Sequence, residues 1–297
     1  MIFFELRDGR RARRRRPAGA ARLIHIPVTT LTARRATLRG PANNWEGLDG
    51  HITGDNHGGG NGTDKPAGYG PLVPDPAGLL SLPAGFSYTI IARSGVTTLE
   101  TGEPTPSDPD GTASFVRKGG SGDVLVNNHE VSGTEPFRVP HVAGFVYDER
   151  TFGGTTTIEV DNKGNRVREY VSLAGTSTNC AGGKTPRDTW LTCEETEEIT
   201  GKRHGYVFEV DPYDQEANRD PKPNKAFGRY AHESVVFDPR RGTVYLTEDA
   251  TAPNGLRYRW TPPGSAHPLR HGSLRALADD AGTLEALTAF SGDTATA

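Results

Sequence analysis

The sequence predicts an all-β protein and, within that class, a β-propeller. Three observations point there. The chain of 297 residues holds 37 glycines and 22 prolines with only 34% hydrophobic residues, a composition that suits short strands joined by many turns better than long helices. A hairpin pattern recurs three times, and each copy ends in acidic residues. A Gly-aromatic-x-aromatic segment recurs between the hairpins. Multi-strand repeats with periods of tens of residues, lengthened by inserted loops, mark propeller blades. A β-sandwich, the plainer alternative, would leave both likenesses accidental.

Residues 1–40 carry 11 arginines against Glu5 and Asp8, a surplus of +9, so residues 41–297 carry −12 within a total of −3. This segment reads as an arginine-rich leader or a misassigned start. Residues 23–27 make a poor apolar core for a secretory signal, and the arginine pairs fit a twin-arginine export address. Residues 41–82, with Gly58-Gly59-Gly60-Asn61-Gly62, read as an extended or loop segment. Residues 83–297 hold the blades, with residues 86–92 as the first clear strand. The acidic body disfavours nucleic acid, whose binding rests on Lys and Arg contacts to phosphate. No apolar run approaches the roughly 18 residues of a membrane span.

The first hairpin runs from residues 113–116 through a turn at 119–122 to residues 124–127, and ends in Asn128-His129-Glu130. The second starts at Cys180, passes a turn region at Gly182-Gly183, and follows Thr189-Trp190-Leu191-Thr192-Cys193 into Glu194-Glu195. The third joins residues 234–237 and 244–247 through a turn at 239–242, and ends in Glu248-Asp249. Asp110-Gly111, Asn179-Cys180 and His232-Glu233 precede the three. In an antiparallel hairpin the start of one strand and the end of the next lie at the same end. Asp110, Glu130, Cys180, Glu194, Glu195, Glu233, Glu248 and Asp249 are therefore expected at one rim. The intervening strands are Gly144-Phe145-Val146-Tyr147, Gly205-Tyr206-Val207-Phe208 and, more loosely, Gly255-Leu256-Arg257-Tyr258. Phe145 and Tyr206 are 61 residues apart, and Trp190 and Tyr245 are 55 apart.

Crowded carboxylates either take up protons or bind cations. Oxygen donors suit calcium, and a thiolate selects a softer or redox-active metal such as iron or zinc. Cys180 and Cys193 are too few for a disulfide framework; they form one cross-strand bridge, sit idle in the core, or supply a metal ligand. His129 and His232 are candidates for ligation, for bonding a substrate oxygen or for acid catalysis. Lys184, Arg187 and Arg229 lie next to the proposed rim in the sequence and could hold an anionic substrate. Taken singly, each acid is a solvated strand end and each histidine a structural hydrogen bonder; repetition at equivalent hairpin ends favours a site. The glycines at 58–62 lack the Gly-Lys-Ser/Thr end of a phosphate loop, and no Gly-x-Ser-x-Gly elbow occurs.

Val126-Asn127-Asn128-His129-Glu130, the run N-C-A-G-G-K-T-P at 179–186 with T-W-L-T-C-E-E at 189–195, G-Y-V-F-E-V-D-P at 205–212 and G-R-Y-A-H-E at 228–233 resemble the PhoX family of alkaline phosphatases, with similarity from about Leu72 onward. The resemblance implies a propeller exported by the twin-arginine route to the periplasm or outside the cell. It also implies hydrolysis of small phosphate monoesters by a cluster of iron and calcium. Cys180 would be an iron ligand, and Glu130, Glu194, Glu195, Glu233, Glu248 and Asp249 would hold metal, with the choice between Glu194 and Glu195 open. Members of the family are usually longer, so a propeller incomplete at its C-terminus is expected. Two other functions fit the same residues: a non-catalytic calcium-binding propeller, and another propeller hydrolase such as a lactonase or phosphotriesterase.

Overall fold

In the computed structural model the described residues are 2–6, 71–119, 121–251, 254–263, 273–291 and 294–296, with backbone alone for 2–6, 289–291 and 294–296. The expected leader beyond residue 6 and the glycines at 58–62 lie outside them. Contacts divide the chain into two units. In the smaller, β1 (Ile2–Leu6) pairs with β4 (Phe86–Ile90), and β2 (Leu72–Pro74) forms a hairpin with β3 (Ser81–Pro83) inside the stretch expected to be loop.

The larger unit, from Ile90 onward, is built of antiparallel meanders. The first is β5 (Pro109–Val116), β6 (Asp123–His129), β7 (Gly153–Val160) and β8 (Arg166–Thr176), in that order. The second is β9 (Asn179–Lys184), β10 (Trp190–Glu194) and β11 (Val207–Val210); the third is β12 (His232–Phe237), β13 (Val244–Glu248), β14 (Arg257–Thr261) and β15 (Thr283–Ala286). A short pair, β16 (Ala289–Ser291) and β17 (Thr294–Thr296), follows. Helical structure among the described residues is limited to single 3-10 turns such as Lys225–Phe227. The all-β expectation therefore holds. A closed ring of blades is not seen among the described residues.

Side chains alternate across each strand, and this distributes the core. Leu191 and Cys193 of β10 join Val207, Phe227, Val235, Leu246 and Trp260 in one buried cluster. Trp190, their neighbour on the opposite face, joins Phe115, Val126, Tyr206 and Phe208 in another. All five residues of β10 are accordingly buried. Each large apolar side chain so enclosed contributes roughly 1.5–3 kcal/mol.

The first strands of the meanders, β5, β9 and β12, lie side by side with β9 between the other two. Glycine makes this approach possible. A Cβ on Gly183 would lie 1.9 Å from the Val235 carbonyl oxygen of β12, while one on Gly182 would lie 1.9 Å from that of Leu191 on β10, the partner strand within its own hairpin. Both glycines belong to β9, which corrects the expected turn at Gly182-Gly183; the chain turns at residues 185–189, where Thr185 N–H donates to the Thr189 carbonyl and closes the loop's far side. Residues 144–147 also depart from expectation. They make only a parallel bridge, Val146 to Ala174, and β7 takes the third place in the first sheet.

Candidate metal centre

The hairpin registers show one irregularity three times. Pro109 pairs with His129 and Thr112 with Asn127; Asn179 pairs with Glu194 and Gly182 with Thr192; His232 pairs with Glu248 and Ser234 with Thr247. Each first strand thus carries one residue more than its partner at the same end, a β-bulge, which re-aims side chains next to it. Asp110, Cys180 and Glu233 each follow the first paired residue, inside the bulge. On the opposing strands, Glu130, Glu195 and Asp249 each follow the last paired residue. One position on each side of every hairpin therefore faces the same centre.

The side chains bear this out. A ligand atom from each of Cys180, Glu195 and Glu233 lies within 4.8 Å of the other two. Glu130 feels the charges of Asp110 and Glu233 and shares a hydrogen bond with Glu195; Asp249 bonds Glu195 and faces Glu233. Burial, then the charges of Glu233 and Glu130 and the contact with Asp249, push the Glu195 carboxyl up to about 8. Burial first, then neighbouring acids, raises Glu130; burial also raises Glu233, opposed by its contact with Cys180 and helped by Asp110 and Asp249, while burial alone raises Asp110. Buried and surrounded by acids, the Cys180 thiol is pushed far above its ordinary value; its Sγ–H donates to the His232 carbonyl at 3.2 Å. Four half-buried carboxylates, that of exposed Asp249 and a buried thiol fit cations: the sulfur with Glu195 and Glu233 suits a softer metal, and the remaining oxygens suit calcium.

The bulges are braced across the sheets. Asn128 Nδ2 donates to the carbonyls of Cys180 and Ala181, both at 2.8 Å, while its Oδ1 accepts from the Trp190 indole N–H. A Cβ on Gly111 would sit 2.7 Å from the Cys180 carbonyl oxygen, so the first two bulges touch backbone to backbone.

The paired residues themselves, His129, Glu194 and Glu248, turn away from this group. The His129 Nδ1 contacts the Ser107 carbonyl at 2.9 Å, its Nε2 contacts the Thr156 hydroxyl at 2.9 Å, and burial lowers its pKa to about 4. The carboxylate of Glu194, fully buried, accepts from Ser177 N–H, Gly205 N–H, Tyr206 N–H and His204 Nδ1. Glu248 accepts from Leu256 N–H and the Tyr258 hydroxyl. Of the adjacent pair left open by the sequence, Glu195 is the one beside Cys180 and Glu233.

His232 is buried beneath the rim; its Nε2–H donates to the Gly228 carbonyl at 3.3 Å, and burial lowers its pKa to about 3. Lys184 and Arg187 belong to the opposite end of their hairpin from Cys180, since Lys184 pairs with Trp190. The expectation that they lie by the rim is corrected accordingly: Lys184 Nζ donates to the Ser114 carbonyl, and Arg187 lines a separate cleft of about 410 Å³ with Glu209 and Arg275. Arg229 donates to the Glu197 carbonyl and faces its carboxylate at 3.8 Å. His204 was missed by sequence reading. It is fully buried between Glu194, at 2.7 Å, and Asp148, at 3.4 Å. Burial opposes its charge, but the Glu194 and Asp148 carboxylates outweigh burial and raise its pKa. It directly precedes the G-Y-V-F-E-V-D-P run at 205–212, the one signal in the sequence that lies beside it.

The buried state of His129 has a consequence for acid stability. Folded, it stays neutral until about pH 4; unfolded, it takes a proton near 6.5. A depressed folded pKa means that stability is lost as pH falls below 6.5 and levels off below the folded value. At pH 5 the contribution is about 2 kcal/mol. In urea unfolding of chelated protein, His129→Gln should lose about that much less than wild type between pH 7 and pH 5; equal losses would rule out a neutral buried imidazole.

A sequence profile described as alkaline phosphatase PhoX matches residues 67–295. None of the curated proteins or solved structures compared matches the chain. With a match over residues 67–295 of 297 that takes in every residue of the rim just described, the chain belongs to the PhoX family of alkaline phosphatases.

Proposed function

We propose that this protein is a metal-dependent phosphatase hydrolysing phosphate monoesters, with iron held at Cys180, Glu195 and Glu233 and calcium at the oxygens of Asp110, Glu130 and Asp249. The observation that carries the reading is the meeting of thiol and carboxylates within 4.8 Å, inside a chain of this family. A bare group of five carboxylates would repel a phosphate dianion; counter-charge is required before substrate can approach. Bound metal ions would supply that charge and polarise the phosphoryl oxygens. The chain's own residues hold the carboxylates at fixed positions on bulged strand ends, while His129 and His232 serve as neutral struts beneath them. The side-by-side β5, β9 and β12 support reading the meanders as propeller blades. Export, as expected for the family, follows from the same reading; no helix among the described residues is long and apolar enough to cross a membrane.

The test is turnover of p-nitrophenyl phosphate beside a lactone and a phosphotriester, before and after chelation. Monoester hydrolysis should fall by at least about 100-fold on chelation and return with iron and calcium together. Hydrolysis indifferent to chelation would sink the proposal, as would preference for the lactone or triester. Calcium bound without any turnover would leave a binding module.

A further inference from the structure

Below the proposed metal group lies a second set of ionisable side chains that touches no substrate and is wholly enclosed. Glu194 and His204 are fully buried, and Asp148 is 4% exposed. The His204 ring bridges the two carboxylates, Nδ1 to Glu194 Oε1 at 2.7 Å and Nε2 to Asp148 Oδ2 at 3.4 Å. Asp148 is anchored in turn by the Thr200 hydroxyl at 2.7 Å and by the N–H groups of Arg150 and Lys202. Two buried carboxylates without a cation between them would be costly, and removing one partner from such a set leaves an uncompensated charge.

What Glu194 grips decides the consequence. It directly precedes Glu195. Through Oε1 it accepts from Ser177 N–H at 3.1 Å, three residues before Cys180, and through Oε2 from Gly205 and Tyr206 at 2.9 and 3.1 Å. Glu195 N–H donates to the Thr178 carbonyl, closing the same loop from the other side. One carboxylate therefore ties together the approaches to Cys180 and to Glu195. His129, at the equivalent place in the first meander, likewise reaches back to Ser107, two residues before the partner strand β5, as Ser177 lies two before β9.

We infer that Asp148, His204 and Glu194 form a positioning relay that sets the spacing of the Cys180 sulfur and the Glu195 carboxylate, and hence the affinity of the site for its softer metal. The inference rests on the proposed metal site. His204 acts through Glu194 and touches neither metal nor substrate. Outer partners of this sort typically change metal affinity by about 10–100-fold when removed.

The experiment is a cobalt(II) titration of the full chain after chelation, followed by the thiolate-to-cobalt absorption band, for wild type, His204→Gln, Asp148→Asn and Val160→Ala. Val160, fully buried in β7 and away from the relay, is the control for simple loss of stability. His204→Gln and Asp148→Asn should weaken cobalt binding about 10–100-fold at a temperature where circular dichroism shows them folded. Val160→Ala should lower the melting temperature with unchanged cobalt affinity. Wild-type affinity in a folded His204→Gln protein would overturn the relay, as would equal weakening in Val160→Ala. If His204→Gln fails to fold, Asp148→Asn alone decides by the same criterion. Absence of a thiolate band in wild type would instead overturn the metal site itself.

Discussion

Cys180→Ala is expected to strip the softer metal from the protein and to reduce phosphate-monoester turnover by about 10²–10³-fold, the scale on which removal of one electrostatic contributor to a transition state acts. Calcium should remain, because Asp110, Glu130 and Asp249 supply oxygen without help from the sulfur. The fold should remain too. Cys180 is 2% exposed and packs with Leu191, Val235 and Trp260, so losing one sulfur opens a small void worth about 1 kcal/mol, or about 2–4 °C in melting temperature at this size. The separation of a large chemical effect from a small structural one is what distinguishes a ligand from a core thiol. Elemental analysis beside wild type, with p-nitrophenyl phosphate turnover on the same samples, reads both. Iron retained in full by the variant would remove Cys180 from the site.

The second large effect is structural. Gly183→Ala is expected to destabilise the protein by about 3 kcal/mol or more, because the new Cβ would lie 1.9 Å from the Val235 carbonyl oxygen and 2.9 Å from its carbonyl carbon, and backbone in a paired strand cannot swing aside. That corresponds to a fall of roughly 10 °C in melting temperature. The same displacement would part β9 from β12, and with them Cys180 from Glu233, so metal should be lost even from protein that stays folded. Gly119→Ala is the contrast: its φ of 98° strains any side chain, but nothing lies within 4 Å, and only about 1 kcal/mol is expected. Equal losses from both substitutions would show that the close approach of the two strands is not what Gly183 permits.

Much of this architecture was legible in the chain. Turn-forming residues between short apolar runs announced strands, and hairpin logic placed Asp110, Glu130, Cys180, Glu194, Glu195, Glu233, Glu248 and Asp249 at one edge without distinguishing the two, Glu194 and Glu248, that turn away from the shared centre. The motifs around Cys180 and Glu195 carried the family. The glycine pair misled, because a turn and a crowded strand both demand a residue without a side chain, and composition does not say which. The segment at 144–147 misled for a related reason: an apolar alternation shows that a stretch is half-buried, and leaves its neighbour unspecified.

What the sequence determined by itself was therefore local and periodic: strand positions, the shared rim, and the residue types available for metal. The tertiary structure alone decided between neighbours. The extra residue in β9 sends Glu195 toward Cys180 and turns Glu194 inward, a choice made by the register between strands and invisible in either strand alone. It also brought His204 between Glu194 and Asp148, across 10 and 56 residues of chain, and carried Lys184 and Arg187 to the far end of their hairpin. Contacts of that kind arise from how sheets pack, where burial and charge compensation act between residues that no sequence interval connects.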